Sequence, residues 1–445
     1  MFLNLHSLET QLHLHTLKKH NLKNRFISIF KKLKRTVKNV IVDIMTVPYL
    51  VKVNSRQKIK ERKIKVAFMC QYIPAWNKFE PLYREMLKND KFDPYLICIP
   101  DCIQNKEIVN YSGINETYKY FCEAGYTNTI DAYEKEQWTD LKELSFDYIF
   151  YTRPYNHMMP PEYNSDVVKK YSKIGSLNYG MEIIKQVFAI TLNTNFYKDV
   201  YIYYAETNVA MKVYKQKFPI TTFLKLRKVE FHGYPVFEQI IKDKEKKSSS
   251  WGFSKNEYRV MWTPRWTTAK HLGGSNFFMY YKSLINYAKK NENIDFLLRP
   301  HPLTFGNFIK TGEMTEEEVN DYLNQIEAMP NMSMDKEKEY NGTIWSSDAL
   351  IADISAFMPE YYITGKPIIF CASNMFLELT EDMEMLLRGC YISYNEEETY
   401  NYLDKLKMGE DILKPVRQEM INNVFGESLN NSSAKIVESI YKLSV

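Results

Sequence analysis

The stretch DALIADISAFMPEYYITGKPIIF, residues 348–370, contains two apolar segments of strand type, ALIADIS and KPIIF, separated by a short helical segment. A strand, a helix and a second strand in succession form a βαβ unit, whose strands run parallel in one sheet. Asp353 and Ser355 follow the first strand, just before the expected helix start. Ligands of parallel sheets bind at such strand ends. The stretch therefore predicts an α/β fold and a binding site within it.

The same alternation of strands and helices fills most of the chain. Strand candidates in the first half are KIKVAFMC (63–70), DPYLICIP (93–100), FDYIFYT (146–152), SKIGSLNY (172–179) and VYIYYAE (200–206). In the second half they are YRVMWTP (258–264), IDFLLRP (294–300), ALIADIS (349–355), KPIIFCAS (366–373) and CYISY (390–394). The polar segment KDKEKKSSSWGFS, residues 242–254, is typical of a linker.

A chain of 445 residues exceeds one ordinary hydrophobic core. We therefore expect two facing, doubly wound Rossmann-like domains, over residues 63–240 and 255–428. A basic amphipathic segment over 1–60 precedes them, and a C-terminal helix over 429–445 follows them.

The net charge of +5 is concentrated near the N-terminus. The cations there are Lys18, Lys19, Lys23, Arg25, Lys31, Lys32, Lys34, Arg35 and Lys38. Residues 22–46 also place apolar side chains at three- and four-residue steps, which predicts an amphipathic helix. This helix either packs on its own protein or a sister subunit, or lies in an anionic membrane surface. The near-neutral remainder argues against nucleic acid as a partner, and homo-oligomer formation stays open.

Compartment and membrane topology follow from the cysteines and the apolar runs. The six cysteines have no metal-finger spacing, and several lie in strand-like runs, which favours a reducing, cytoplasmic setting. The apolar run VIVDIMTVPYLV, residues 40–51, is too short to span a bilayer, and no cleavable signal peptide is visible. We expect a cytoplasmic protein that is peripheral on the inner face of the cell membrane.

Unusual polar residues follow four strands or helices of the second half. They are Thr263, Arg265 and Thr267 in WTPRWTT, Arg299 and His301 in RPHP, Asp353, Ser355 and Ala356 in ADISAF, and Glu360 in EYYITGKP. Each taken alone is typical of ordinary structure, such as a helix cap or a surface ion pair. Because the carboxyl ends of parallel strands meet at one edge, we expect these residues to share a site.

The residue types at these strand ends suit a nucleotide diphosphate. Arginine and serine donors bind phosphates, and a glutamate binds ribose hydroxyls. The chain contains no Asp-x-Asp pair and no His-Glu-x-x-His, so no metal is required. It also contains no Walker A loop and no glycine-rich dinucleotide fingerprint, which argues against ATPases and dehydrogenases. We expect no cofactor beyond the activated donor substrate.

The segment Glu360-x4-Gly365-Lys366-Pro367 resembles the nucleotide-ribose signature of glycosyltransferases of the GT-B architecture. The motifs TPRW, RPHP and DALIADISAFMPEYYITGKPIIF together resemble the C-terminal domain of the CDP-glycerol glycerophosphotransferase family, which extends teichoic-acid and capsular polymers. A fainter similarity covers residues 76–100. The family resemblance as a whole implies that Trp76, Lys78, Tyr179 and Gly180 lie on the acceptor side.

The resemblance implies a transferase that moves a polyol phosphate from a CDP-activated donor to a polymeric or lipid-linked glycan acceptor and releases CMP. In this reaction His301 would stabilise or protonate the leaving phosphate. Two alternatives stay open: a GT-B glycosyltransferase that uses a nucleotide sugar, and a nucleotide-binding scaffold without turnover.

The chain departs from this family at one motif. Polymerases of the family carry Trp-His-Gly in the N-terminal domain, whereas the equivalent strand end here is Leu177-Asn178-Tyr179-Gly180. An asparagine is a poor base at neutral pH. Asn178 would therefore orient the acceptor. Either Glu182, Glu80 or His157 accepts the acceptor's proton, or the chain belongs to a divergent branch of the family.

Overall fold

Two parallel sheets form the framework of the protein. The computed structural model describes residues 34–445 apart from residues 35, 105, 106, 109, 110, 338, 373, 375 and 376. One sheet has seven strands and belongs to the first half of the chain, and the other has six strands and belongs to the second half. The predicted pair of doubly wound α/β domains is confirmed.

The first domain contains strands β1 (Ile64–Cys70), β2 (Phe92–Cys98), β3 (Ile103–Gln104), β4 (Glu107–Ile108), β5 (Thr129–Asp131), β6 (Tyr133–Glu134), β7 (Gln137–Trp138), β8 (Tyr148–Tyr151), β9 (Lys173–Leu177), β10 (Ile202–Ala205) and β11 (Lys228–Phe231). Its helices are α1 (36–54), α2 (Ile73–Trp76), α3 (Glu80–Leu87), α4 (Glu116–Glu123), α5 (Leu141–Leu144), α6 (Ser165–Val168), α7 (Lys185–Thr191), α8 (Asn195–Asp199), α9 (Asn208–Lys217), α10 (Pro219–Phe223) and α11 (Pro235–Lys242). The sheet order is β11-β10-β9-β8-β1-β2-β5, and β3-β4 and β6-β7 are small antiparallel pairs.

The second domain contains strands β12 (Tyr258–Thr263), β13 (Ile294–Leu298), β14 (Met332–Met334), β15 (Ala349–Ala352), β16 (Ile368–Cys371) and β17 (Tyr391–Ser393). Its helices are α12 (Phe277–Lys290), α13 (Thr304–Thr311), α14 (Glu316–Glu327), α15 (Asn341–Trp345), α16 (Phe357–Tyr362), α17 (Glu381–Leu387), α18 (Glu396–Lys407), α19 (Lys414–Val424) and α20 (Ser432–Ser444). The sheet order is β14-β13-β12-β15-β16-β17.

Both sheets reverse their strand order beside their first strand, at β1/β8 and at β12/β15. Such switch points leave a crevice at the carboxyl ends of the strands. The central strands β8, β10, β13, β15 and β16 are buried along their whole length, which explains their continuous apolar runs. The sequence missed β5, β11 and β14, because these short strands at sheet edges carry partly exposed, more polar residues.

Helix α1 overlaps the predicted amphipathic helix over residues 36–46 but has a different end. Residues 22–33 and 35 of the predicted segment lie outside the described residues, and the described helix continues to residue 54 instead of ending at 46. Leu50 and Val53 are fully buried against the first domain, and this burial holds the helix together past Pro48. The buried carboxylate of Asp43 accepts hydrogen bonds from the backbone of Ile220 (2.7 Å) and Thr221 (2.9 Å) at the start of α10.

The C-terminal helix α20 returns to the first domain. Its Ser444 hydroxyl donates to the Tyr148 hydroxyl (3.2 Å), and its Ser444 carbonyl accepts from the Ile59 amide (2.9 Å). Ser439 contacts the Tyr204 hydroxyl at 3.0 Å. The predicted helix at this end of the chain thus ties the second half to the first.

The burial of α1 generates a test of its role in the fold. Replacing Leu50, which is 0% exposed, with alanine should cost about 2–5 kcal/mol of unfolding free energy, because it leaves a cavity in the core. Val51→Ala on the same helix is the matched control, since Val51 is 49% exposed and should change stability by less than about 0.5 kcal/mol. Urea unfolding of both variants measures this difference, and equal midpoints would show that α1 does not support the domain.

Candidate functional site

A cleft with a volume of 730 Å³ lies where the carboxyl ends of the two sheets face each other. The first domain contributes Pro154, Tyr155, Asn178–Ile184 and Tyr197, and the second contributes Thr263–Trp266, Arg299–Pro302, Phe305 and Ser355–Phe357. The two walls approach closely at Gly180, where an added Cβ would lie 3.2 Å from the Cβ of Ala356. Any larger residue at position 180 would therefore press the domains apart.

An antiparallel contact between the domains forms one edge of the cleft. The Lys185 amide donates to the Glu378 carbonyl (2.9 Å), and the Thr380 amide donates to the Ile183 carbonyl (3.0 Å). The Thr380 hydroxyl also donates to the Glu182 carbonyl (3.1 Å). We refer to residues 182–185 and 378–380 as the interdomain seam. It holds the backbone of Glu182 at the cleft.

The second domain presents donors for an anion. The guanidinium of Arg265 donates to the Ile354 carbonyl (2.6 Å), and its backbone amide donates to the buried Asp353 carboxylate (2.8 Å). Arg265 Nε and Ser355 Oγ are buried without a hydrogen-bond partner among the described residues. Buried donors without partners cost free energy, and a ligand oxygen offsets that cost. Arg265 and Ser355 both line the cleft, so their side chains are candidates for contacts with a bound anion.

His301 stands beside this pair with its ring orientation fixed. Its Nδ1 accepts a hydrogen bond from the Leu303 amide (3.2 Å), so the proton of the neutral ring sits on Nε2. The residue remains solvent-exposed at the cleft mouth, yet partial withdrawal of the ring from water and the nearby Arg265 cation lower its pKa to about 4. His301 therefore presents a neutral imidazole donor to the cleft, and a phosphate beside it would raise its proton affinity.

The guanidinium of Arg299 is already engaged. It forms a salt bridge with the fully buried Asp335 side chain, donates to the Glu337 carbonyl (3.2 Å) and lies over the Tyr340 ring (4.7 Å to the centroid). Arg299 lines the cleft, but much of its charge is neutralised by its own domain. Its main contribution is to hold the RPHP turn on the end of β13.

Two carboxyl groups lie close together on the first-domain side. The Glu182 amide donates to Glu206 Oε1 (3.2 Å). Burial, reinforced by Glu206, raises the pKa of Glu182 to about 8. Burial also raises the pKa of Glu206 to about 7, against the lowering effect of its hydrogen bonds. Carboxyl groups whose pKa lies near neutrality are suited to proton transfer.

Asn178 is held inside this wall by four groups. Its amide nitrogen donates to Glu206 (3.2 Å) and to the Tyr214 hydroxyl (2.8 Å), and its amide oxygen accepts from Tyr197 (3.1 Å). Its backbone carbonyl accepts from the Tyr234 hydroxyl (2.6 Å). Asn178 therefore positions Glu206, and its own side chain is committed to the protein.

The structure brings most of the residues predicted from the sequence to the cleft. Those that line it are Asn178, Tyr179, Gly180, Glu182, Thr263, Arg265, Arg299, His301, Ser355 and Ala356. Trp76, Lys78, Thr267, Asp353 and Glu360 do not line it, and all five are buried. Of the other proposed bases, Glu80 pairs with Arg84 (2.5 Å) and His157 lies on an exposed loop, and neither lines the cleft.

The five residues behind the cleft have structural partners. Glu360 forms a buried salt bridge with Lys78 (2.6 Å), and both contact the Tyr340 hydroxyl. The sequence predicts that Glu360 binds a ribose and that Lys78 lies on the acceptor side. In the structure these two side chains bind each other instead. The Trp76 indole donates to the Tyr126 hydroxyl (3.0 Å), and Thr267 accepts from the Ala269 amide (3.2 Å). Asp353 positions the Arg265 loop.

Sequence reasoning missed three residues of this region. Glu206 follows β10 directly, so its place at a strand end was a usable signal. Tyr155 and Trp266 also line the cleft; Trp266 is the last residue of the TPRW motif, but the sequence predicted no separate role for it. The Tyr155 and Tyr179 hydroxyls lie 2.5 Å apart on the first-domain wall, a contact between separate loops that only folding creates.

Solved structures confirm the architecture. A structure of the wall teichoic acid polymerase TagF matches with a TM-score of 0.54 and 14% identity, over 94% of this chain and 97% of that chain. The UDP-GlcNAc 2-epimerase from Neisseria meningitidis, bound to UDP-GlcNAc, matches with a TM-score of 0.54 and 14% identity, over 85% of this chain and 100% of that chain. S. aureus MnaA with UDP matches with a TM-score of 0.54 and 11% identity, over 84% and 95% respectively.

At these identities the likeness shows the fold, a GT-B-type pair of Rossmann-like domains. No curated protein matches the sequence. The family model for CDP-Glycerol:Poly(glycerophosphate) glycerophosphotransferase matches residues 174–442, more than half of the chain and nearly all of the second domain. The chain therefore belongs to the CDP-glycerol glycerophosphotransferase family.

Proposed function

We propose that the protein transfers a polyol-phosphate group, such as glycerol phosphate, from a CDP-activated donor to a teichoic-acid-type or capsular acceptor and releases CMP. The observation that carries this proposal is that Arg265, Ser355 and His301 line one cleft, where Arg265 Nε and Ser355 Oγ have no hydrogen-bond partner among the described residues. These donors suit a diphosphate. Family membership supports a nucleotide-activated donor.

In the proposed reaction an acceptor hydroxyl attacks the phosphorus of the transferred group. A new P–O bond forms, the bond to the CMP oxygen breaks, and the acceptor proton moves to a base. Phosphoryl transfer depends mainly on positioning and charge stabilisation. Arg265, Ser355 and the Nε2–H of His301 would stabilise the phosphate oxygens, and no metal or cofactor is invoked. Glu182, in its carboxylate form, would accept the proton from the opposite wall.

CMP release from CDP-glycerol with a membrane-derived acceptor tests the proposal. His301→Ala should lower turnover about a hundredfold, the scale for losing a positioned charge stabiliser or proton donor. Its fold should persist because His301 is exposed. His157→Ala is the matched control on an exposed loop outside the cleft, with turnover unchanged. Turnover with a nucleotide sugar but not with CDP-glycerol would support the glycosyltransferase alternative. If no donor is turned over, the protein is a nucleotide-binding scaffold without catalytic activity.

The raised pKa of Glu182 predicts the pH profile. Turnover should rise with pH towards about pH 8, because the base must first lose its proton. Glu182→Gln should remove that rise and most of the activity.

The same raised pKa predicts how stability depends on pH. The folded protein holds the proton of Glu182 up to a higher pH than the unfolded chain does, so the free energy of unfolding should fall as pH rises to about 8. Glu182→Gln should therefore be more stable than wild type above pH 8, whereas exposed Glu143→Gln should match wild type in both assays.

We also propose that α1 binds an anionic membrane surface. The side of α1 away from the domain exposes Val37, Ile41, Ile44 and Met45 beside Lys34 and Lys38. In the part of the chain that the structure describes, no helix has the length and apolar character needed to cross a bilayer. An amphipathic helix at the interface fits these features.

Vesicle co-sedimentation tests this proposal. Binding to anionic vesicles should weaken with added salt, since each cation near the surface contributes on the order of 1 kcal/mol. Ile41→Glu should reduce binding to anionic vesicles, because it places a carboxylate on the apolar face. Ile412→Glu is the matched control, at an isoleucine of the second domain that is 78% exposed. Equal binding by the two variants would remove α1 from the interaction.

A further inference from the structure

A second polar cavity opens at the opposite end of the first-domain sheet from the cleft. It has a volume of 240 Å³, and we call it the basal pocket. Its charged lining residues are Arg56, Arg62, Lys142, Lys173 and Asp147. Lys173 begins β9 and Asn178 follows its end, so the strand separates the pocket from the cleft by about 16 Å at 3.3 Å per residue.

The basal pocket holds more cations than its own residues neutralise. Asp147 binds the Arg62 guanidinium through both oxygens (2.6 and 2.8 Å) and also accepts from the Lys65 amide (2.9 Å). Among the residues that the structure describes, Arg56, Lys142 and Lys173 form no salt bridge with any carboxylate. Arg56 donates to the Lys169 and Lys170 carbonyls, both at 3.2 Å. Four cations therefore share the pocket with one carboxylate, Asp147, which is already paired with Arg62.

Lys173 is the cation most withdrawn from water. It is half-buried, its Nζ lies 5.0 Å from the Tyr148 ring centroid and 5.2 Å from that of Tyr201, and it donates to the Tyr148 hydroxyl (3.3 Å). Burial, together with the neighbouring Lys58 and Arg56, lowers the pKa of Lys173 to about 8. The charged form of Lys173 is thus costly in this pocket, and an anion bound beside it would offset this cost.

We propose that the basal pocket binds a phosphate group, independently of the cleft. Lysine and arginine around a small concavity suit phosphate oxygens. The volume lies below the ~300–1,000 Å³ of sites for drug-sized ligands, so a phosphate or a phosphate head group fits the pocket better than a whole nucleotide. The group comes either from free phosphate or from a phospholipid. Helix α1, with its exposed apolar face, ends at residue 54 beside Arg56.

Calorimetric titration of the full-length protein with inorganic phosphate tests the site. All variants carry Arg265→Met, which removes a phosphate donor from the cleft, and ionic strength is held constant. Adding Lys173→Met should weaken phosphate binding at least tenfold, and Arg56→Met should do the same if Lys173→Met does not fold. Exposed Lys88→Met is the control and should leave affinity unchanged. Equal affinity with and without Lys173 would overturn the proposal.

The melting temperature separates loss of binding from loss of fold. Without phosphate, Lys173→Met should melt at or above the temperature of its parent, because it removes a half-buried cation that forms no direct salt bridge among the described residues. With phosphate, only proteins that retain Lys173 should gain stability by mass action. A phosphate-induced rise of equal size in Lys173→Met would place the phosphate elsewhere and refute the site.

Vesicles identify the source of the phosphate. If a phospholipid supplies it, Lys173→Met should bind phosphatidylglycerol vesicles at least tenfold more weakly than wild type, with phosphatidylcholine vesicles as the uncharged control. If free phosphate supplies it, vesicle binding should be unchanged while phosphate binding is lost. Neither result depends on CMP release, so failure of the basal pocket and failure of the proposed transferase activity are distinguishable.

Discussion

The interdomain seam is the contact on which the site depends. Two backbone hydrogen bonds between residues 183–185 and 378–380 join the two domains beside the cleft, and the Thr380 hydroxyl adds a third bond at Glu182. Because backbone groups make the seam, its geometry is independent of most side-chain identities. The residue that begins it, Glu182, is also the titratable group of the first-domain wall. A small relative rotation of the domains would therefore move this carboxyl group away from Arg265 and Ser355.

The Lys78–Glu360 pair provides a second joint between the domains. Both side chains are buried, and Tyr340 contacts each of them. A buried ion pair is weak evidence of net stability, but removing one partner commonly costs about 3–5 kcal/mol because the other charge stays buried. This pair fixes the relative position of the domains more than it strengthens the fold. Helix α20 also links the two domains, because its Ser444 hydroxyl donates a hydrogen bond to the hydroxyl of Tyr148 in β8.

The electrostatic character of the cleft follows from this assembly. The second-domain wall carries Arg265 and a neutral His301, whereas the first-domain wall carries Glu182 and Glu206. Burial raises the pKa of both carboxyl groups towards neutrality and lowers that of the imidazole. One wall thus offers hydrogen-bond donors for phosphate oxygens, and the other offers groups that accept a proton. A reaction between a phosphorylated substrate and the hydroxyl group of an acceptor requires both.

Strand pattern alone predicted the two-domain fold, because central parallel strands are buried on both faces and read as apolar runs bounded by turns. It also identified Arg265, His301 and Ser355, since strand ends of one parallel sheet must meet at one edge. Glu182 came from the family resemblance, as a substitute for the absent histidine of the first domain. The partners of Lys78 and Glu360 could not be read from the chain, because they are 282 residues apart and meet only when the domains dock. Among the residues that the structure describes, Arg265 Nε and Ser355 Oγ have no hydrogen-bond partner. Residue types at the strand ends were sufficient to predict the candidate residues. Contacts between distant parts of the chain determine which of these residues line the cleft and which bind other protein groups.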